Sequence, residues 1–250
     1  MHVARLSLSP RARMQIGVFL LAYLVYSAAR WVTIGELDVA QANADWIMDL
    51  ERQLGVATEA SVQGALTGTW VLWLLNHLYL AAQLVVLPGA LIFLFRRSRP
   101  LYLRLRNTIL ATWLISIPVY AAFPVAPPRL ADSGLVDTIT SQTGVSLDSS
   151  LTTSFYNELA AVPSLHVGFA VVIGIALAAA VRNPIAKGLW LMWGPVIGLA
   201  VVATGNHYVF DIAAGVVAAG LGFALGAVMA RTTFRRPTAT AGPQPAFAGA

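Results

Sequence analysis

The stretch HYVFDIAAGVVAAGLGFALGAVMA, residues 207–230, decides the fold. It has the length of a membrane-crossing helix, about 20 residues, and its one charged residue, Asp211, follows His207 by four positions. Five further runs are similarly apolar: 14–31, 69–95, 107–123, 162–181 and 188–204. None alternates apolar and polar residues with a period of two. In lipid only helices and closed barrels satisfy their own backbone, so the runs read as helices. The expected fold is all-α, a polytopic membrane protein with six transmembrane helices. Pro88, Pro118 and Pro195 lie inside runs, where neighbouring helices can re-satisfy the freed carbonyls. Gly222-x3-Gly226 offers a narrow face for close helix contact. Composition agrees: hydrophobic residues make up 58%, charged residues 11%, and mean hydropathy is +0.71, whereas a soluble domain carries about 25% charge. A soluble enzyme and a disordered chain are excluded. So is a nucleic-acid binder despite the net charge of +5, because the basic residues sit between apolar runs and not along one arm or face. Cysteine is absent, which removes disulfides, thiolate nucleophiles and Cys-based metal sites.

Arginine and lysine set the orientation. With the N-terminus cytoplasmic, 13 of 16 basic residues fall inside, while Arg30, Arg52 and Arg129 fall outside and the 11 acidic residues lie on or near the outer side. Both termini are expected in the cytoplasm: residues 1–13 as a tail, 14–231 as one membrane domain, and 232–250, broken by prolines and glycines, as a disordered tail. Arg5, Arg11 and Arg13 ahead of residues 16–26, with Ser27-Ala28-Ala29 behind, also fit a cleaved signal peptide; the even span count and the charge asymmetry favour a retained helix. Between the first two spans, Trp46, Ile47, Leu50 and Leu54 share a helical face opposite Asp45, Asp49 and Arg52. Residues 43–54 therefore read as a short amphipathic helix on the outer membrane surface, stopping at Gly55. The outer segment 124–161 is rich in Ser, Thr and Gly, and a connection of that length reads as a functional loop or a lid.

Ionisable groups inside a membrane protein are expensive and mark function. Asp211 is the sole carboxylate within a run, and His77, His166 and His207 are the sole histidines beyond His2. On the expected topology His77, His166, His207, Asp211 and Arg129 converge at one depth near the outer face. His207 and Asp211, four apart, share one helix face. A carboxylate there fixes the imidazole tautomer, frees the other nitrogen as nucleophile or base, and stabilises the cation formed on attack. Such a pair can also merely tie helices together. Pro163-Ser164-Leu165-His166 reads as a helix start whose free N–H groups suit an anion, with Ser164 as an added donor and His166 placed to protonate a leaving oxygen. Three prolines in residues 123–129 hold Arg129 on a stiff segment, and its forked guanidinium suits a phosphate.

Residues 123–129 (FPVAPPR), 157–166 (NELAAVPSLH) and His207-Tyr208-x2-Asp211, in that order, resemble the three motifs of the type 2 phosphatidic acid phosphatase superfamily, and most of all the branch that includes the fungal inositol-phosphorylceramide synthases. The resemblance spans roughly residues 44–230. It implies that His207 is a nucleophile forming a phosphohistidine, that Asp211 orients it, that His166 is the general acid, and that Arg129 and Ser164 hold the phosphate. It implies no metal and no cofactor. The chain departs from the superfamily pattern at Ala122, where the first motif has lysine, and at Leu130, where it has proline. It departs again at Leu165, where the second motif has glycine, and at Ala200 and Val201, where the third has Ser-Arg. Two phosphate-binding cations are missing, which leaves Arg52 and His77 as candidate second donors beside Arg129.

The expected function is a membrane-embedded phosphatase hydrolysing a lipid phosphate or pyrophosphate at the outer face through a phosphohistidine. The alternative is a phosphotransferase moving a phospho-alcohol head group to an alcohol acceptor. Expected partners are a lipid phosphate substrate and membrane lipids, without nucleic acid; the sequence names no protein partner. A non-enzymatic transporter would place its site near the bilayer midplane, whereas the inner halves of these runs carry no charge. An inert structural subunit would leave the grouping of Arg129, His166, His207 and Asp211 unexplained.

Overall fold

The computed structural model describes residues 9–33, 36–147, 149–153 and 157–234. The chain is all-α, with no strand among the described residues. In chain order the helices are α1 (Pro10–Thr33), α2 (Leu37–Leu54), α3 (Glu59–Leu66) and α4 (Trp70–Ala81), which runs through a wide π turn (Ala82–Val86) into α5 (Leu87–Arg97). Then come α6 (Arg99–Ala122), the short α7 (Thr138–Thr143) and α8 (Ser150–Thr153), α9 (Leu165–Ala180), α10 (Pro184–Leu191), α11 (Trp193–Ala203) and α12 (Val209–Phe234). Pro184 sits in the first turn of α10, where a missing N–H costs nothing, and Pro88 follows directly on the π turn inside the continuous helix 70–97.

Among the described residues four stretches are long and apolar enough to cross a membrane: Pro10–Ala29, Trp70–Arg97, Pro184–Ala203 and Val209–Ala230. The expected runs at 107–123 and 162–181 do not meet that measure. The first lies within α6, whose opening turns carry Arg99, Arg104 and Arg106; the second is shortened to 16 helical residues because Ser164 caps the helix. The expected cytoplasmic tails fall largely outside the described residues, at 1–8 and 235–250. α12 itself continues to Phe234, past the expected boundary at 231.

Close packing binds the site-bearing helices. α12 lies along α6, where Gly222 and Gly226 place backbone against Thr112 and Thr108; a Cβ on Gly226 would come 2.9 Å from the Thr108 nitrogen. This is the close contact expected of Gly222-x3-Gly226. α9 packs between α6, α11 and α12 around Leu105, Ile109, Phe169, Ile173 and Ala219.

The helix expected at 43–54 begins earlier, at Leu37, and its covered face is Ala40, Ala44, Ile47 and Glu51. Of the expected apolar face only Ile47 is buried, and Trp46 and Leu54 are exposed. The small residues allow α2 to lie flat on Val125, Ala126 and Tyr208, while Trp46 meets Phe123 and Phe210 edge-on. Segment 124–161 is tied down. Val125 donates to the Leu159 carbonyl (2.8 Å), Ala126 to that of Ala40 (3.1 Å), and the buried Gln63 side chain bonds both backbone groups of Val136.

Candidate active site

The turn into α12 builds the first pair, with His207 two residues ahead of the helix and Asp211 in its first turn. Gly205, with a positive φ of 72°, turns the chain between α11 and α12, and Asn206 and His207 follow in the turn. His207 Nδ1 lies 3.0 Å from Asp211 Oδ2, which also accepts the Tyr208 N–H at 3.0 Å. Asp211 is fully buried, and its Oδ1 has no hydrogen-bond partner. An ionised Asp211 accepts only, so the imidazole proton sits on Nδ1 and the Nε2 lone pair is left for the cavity that His207 lines.

His166 arrives from α9, and two backbone contacts fix it against α12. The Ser164 N–H donates to the Asp211 carbonyl (3.1 Å), and Gly215, one turn beyond Asp211, lies directly against the Ser164 backbone. Tyr120 of α6 donates its hydroxyl to the Pro163 carbonyl at 2.9 Å. Ring centroids of His166 and His207 are 6.2 Å apart.

Arg129 completes the group from a third stretch of chain. Its N–H donates to the Gly205 carbonyl (2.9 Å) and its Nε to Asn206 Oδ1 (3.2 Å), while Asn206 Nδ2 is held by Thr204. Guanidinium and imidazole therefore stand on one short turn. Arg129, His166 and His207 line a single cavity of about 590 Å³, whose other walls are largely apolar and aromatic, including Tyr26, Trp113 and Phe169.

Several expected residues lie elsewhere. Ser164 does not line the cavity. At the N-cap its hydroxyl accepts from the Val167 N–H (3.5 Å) and the residue is wholly buried; Pro163 precedes this cap and does not form the first turn. His77 folds back on its own helix, with Nδ1 2.7 Å from the Trp73 carbonyl and its ring on the Trp73 indole, away from the cavity. Arg52 pairs with Asp49 on the exposed end of α2. Neither lines the cavity. Among the described residues no group of three His, Asp or Glu side chains is arranged to hold a metal ion.

Sequence reasoning missed Tyr79 and Asn206. Tyr79 stacks on His166, with centroids 4.0 Å apart and planes at 18°, fixing the ring; one tyrosine in an apolar span gave no signal. Asn206 stands immediately before His207, and its position was the available clue.

These features find their counterpart in one comparison: the PAP2 superfamily matches residues 45–225, and the chain belongs to that family. No curated protein and no solved structure matches it. Membership supports an enzyme of the phosphatase or phosphotransferase kind acting on lipid phosphates, and the four long apolar helices accord with an integral membrane protein.

Proposed function

We propose that the chain is a phosphatase of the membrane's outer face, hydrolysing a lipid phosphate or pyrophosphate through a phosphohistidine. The observation that carries this reading is the cavity in which Arg129, His166 and His207, from three separate stretches, meet with Asp211 behind His207. His207 Nε2 attacks phosphorus, forming the N–P bond as the P–O bond to the lipid breaks. Arg129 holds the non-bridging oxygens where charge gathers. His166 donates its proton to the departing alkoxide, and the negative charge of the bound phosphate favours the imidazolium that this needs. Asp211 stabilises the cationic phosphohistidine. Water, giving a proton back to His166, then attacks phosphorus and restores both imidazoles.

The topology that accompanies this reading has six spans, with α6 and α9 completing the set, both termini in the cytoplasm, and α2 at the outer surface. The asymmetry of arginine and lysine supports it. Exposed apolar residues on α1 (Leu20, Leu21, Leu24) fit contact with lipid.

A second reading is a phosphotransferase like the inositol-phosphorylceramide synthases. Gln83, Asn157 and Glu158 line the same cavity beyond the histidines, polar groups suited to a hydroxyl-bearing acceptor. The test is analysis of the products that the purified protein forms in detergent from phosphatidic acid, polyprenyl pyrophosphate and phosphatidylinositol, with and without an added alcohol. Phosphate release without an alcohol supports the phosphatase; turnover only with one supports the transferase. His207→Ala should abolish both and the trapping of labelled phosphate. Survival of turnover in that variant would overturn the nucleophile assignment.

A further inference from the structure

We propose that Glu51 and Glu59 are positioning residues for the reaction: two buried carboxyls from α2 and α3 that clamp the first turn of α12 and so hold His207 and Asp211 in place. The inference rests on the catalytic reading above for its rate consequences, but its geometry stands apart from it.

The first N–H groups of a helix have no partner within the helix and are ordinarily capped by one nearby side chain. At the start of α12 three successive N–H groups each find a carboxylate. Tyr208 donates to Asp211 (3.0 Å), Val209 to Glu59 Oε1 (2.9 Å) and Phe210 to Glu51 Oε1 (2.6 Å). Two of these acceptors come from 150 and 159 residues away in the sequence. Charged groups are almost never buried unless paired, yet Glu51 is 2% and Glu59 6% exposed. Nothing in a surface helix requires this. The same turn carries His207 at its head and Asp211 at its foot, so fixing it fixes the nucleophile.

Charge supplies the second argument. Three ionised carboxylates around one buried turn would repel one another strongly. Burial pushes the Glu51 carboxyl up to about 8, and its hydrogen bond to Glu59 and the charges of Glu59 and Asp211 add to the rise. At neutral pH Glu51 thus keeps its proton. The other titratable groups facing this turn are His207, bonded to Asp211, Tyr208 at the head of α12 and Asp45 on α2. Loss of the Glu51 proton on the alkaline side adds a charge beside Asp211 and loosens the clamp.

The experiment compares the full chain in detergent with Glu51→Ala/Glu59→Ala, Glu51→Gln and Glu59→Gln. It reads phosphate release from phosphatidic acid across pH together with backbone amide exchange over residues 205–215. The double alanine variant should lose kcat by roughly 10- to 100-fold with KM near wild type, and exchange at 208–212 should accelerate. Glutamine retains the accepting oxygen, so each single variant should restore slow exchange and most of kcat. Glu51→Gln should also move the alkaline limb of kcat upward. Unchanged exchange in the double alanine variant overturns the clamp. Faster exchange without loss of kcat overturns the positioning role, and an unmoved alkaline limb overturns the part given to the Glu51 proton. A wild-type protein that releases no phosphate refutes the proposed function, while the exchange contrast between alanine and glutamine variants still decides the clamp.

Discussion

Gly215→Ala probes the contact that sets the distance between the two histidines. Gly215 lies one turn after Asp211 on α12. A methyl at this position would sit 3.2 Å from the Ser164 carbonyl carbon and 3.3 Å from its nitrogen, and would overlap its carbonyl oxygen. Backbone cannot rotate aside as a side chain can. The start of α9 must retreat by about 1 Å to restore ordinary contact in so densely packed a seam. That retreat stretches the 3.1 Å bond from the Ser164 N–H to the Asp211 carbonyl and carries His166 away from His207. Overpacking of this kind costs about 1–3 kcal/mol of stability, and a misplacement of about 1 Å costs on the order of 100-fold in rate. The assay is kcat for phosphate release in detergent, with Tm measured on the same samples. Three companions grade the result. A methyl on Gly168 would meet the Gly215 carbonyl oxygen at 2.9 Å, so Gly168→Ala should show an intermediate loss. Gly220 has no neighbour within 4 Å, and Gly220→Ala should keep both rate and Tm. Gly222→Ala, against Thr112 and away from the cavity, should lower Tm and leave kcat intact. Wild-type kcat and Tm in Gly215→Ala would refute the claim that this seam positions His166.

Asp211→Asn keeps the shape but not the charge that stabilises the phosphohistidine, and should lower kcat on the order of 1,000-fold with little change in KM. Arg129→Lys keeps the charge but loses the fork and the Nε bond to Asn206; kcat/KM for phosphatidic acid should fall by roughly 10- to 100-fold. Arg52→Ala and His77→Ala should each stay within about twofold of wild-type kcat/KM, because exposed ion pairs and groups outside the cavity contribute little; a large loss in either would restore it as a phosphate donor. Glu51 is raised in the folded protein from 4.5 to about 8. Its contribution to stability is complete below pH about 4.5 and is lost as pH rises through about 8, so Tm should decline over that window and Glu51→Gln should flatten the decline.

What the sequence determined by itself is local or compositional. Apolar runs with few charges dictate a helical membrane protein, because lipid offers the backbone no other hydrogen-bonding partner. The spacing of four put His207 within reach of Asp211, and the structure shows that bond, although His207 stands in the turn before α12 rather than on its face. Gly222-x3-Gly226 was legible for the same reason: small residues one turn apart form one stripe. The tertiary structure decided everything that depends on which faces meet. It turns Ser164 into a cap, leaves Arg52 and His77 outside, and brings Tyr79 onto His166. It also delivers Glu51 and Glu59, to which the sequence assigned no role, to the head of α12. Helical periodicity fixes neighbours within a turn or two. The contacts of Glu59 with Val209, 150 residues away, and of Gly215 with Ser164 exist only once the helices have packed.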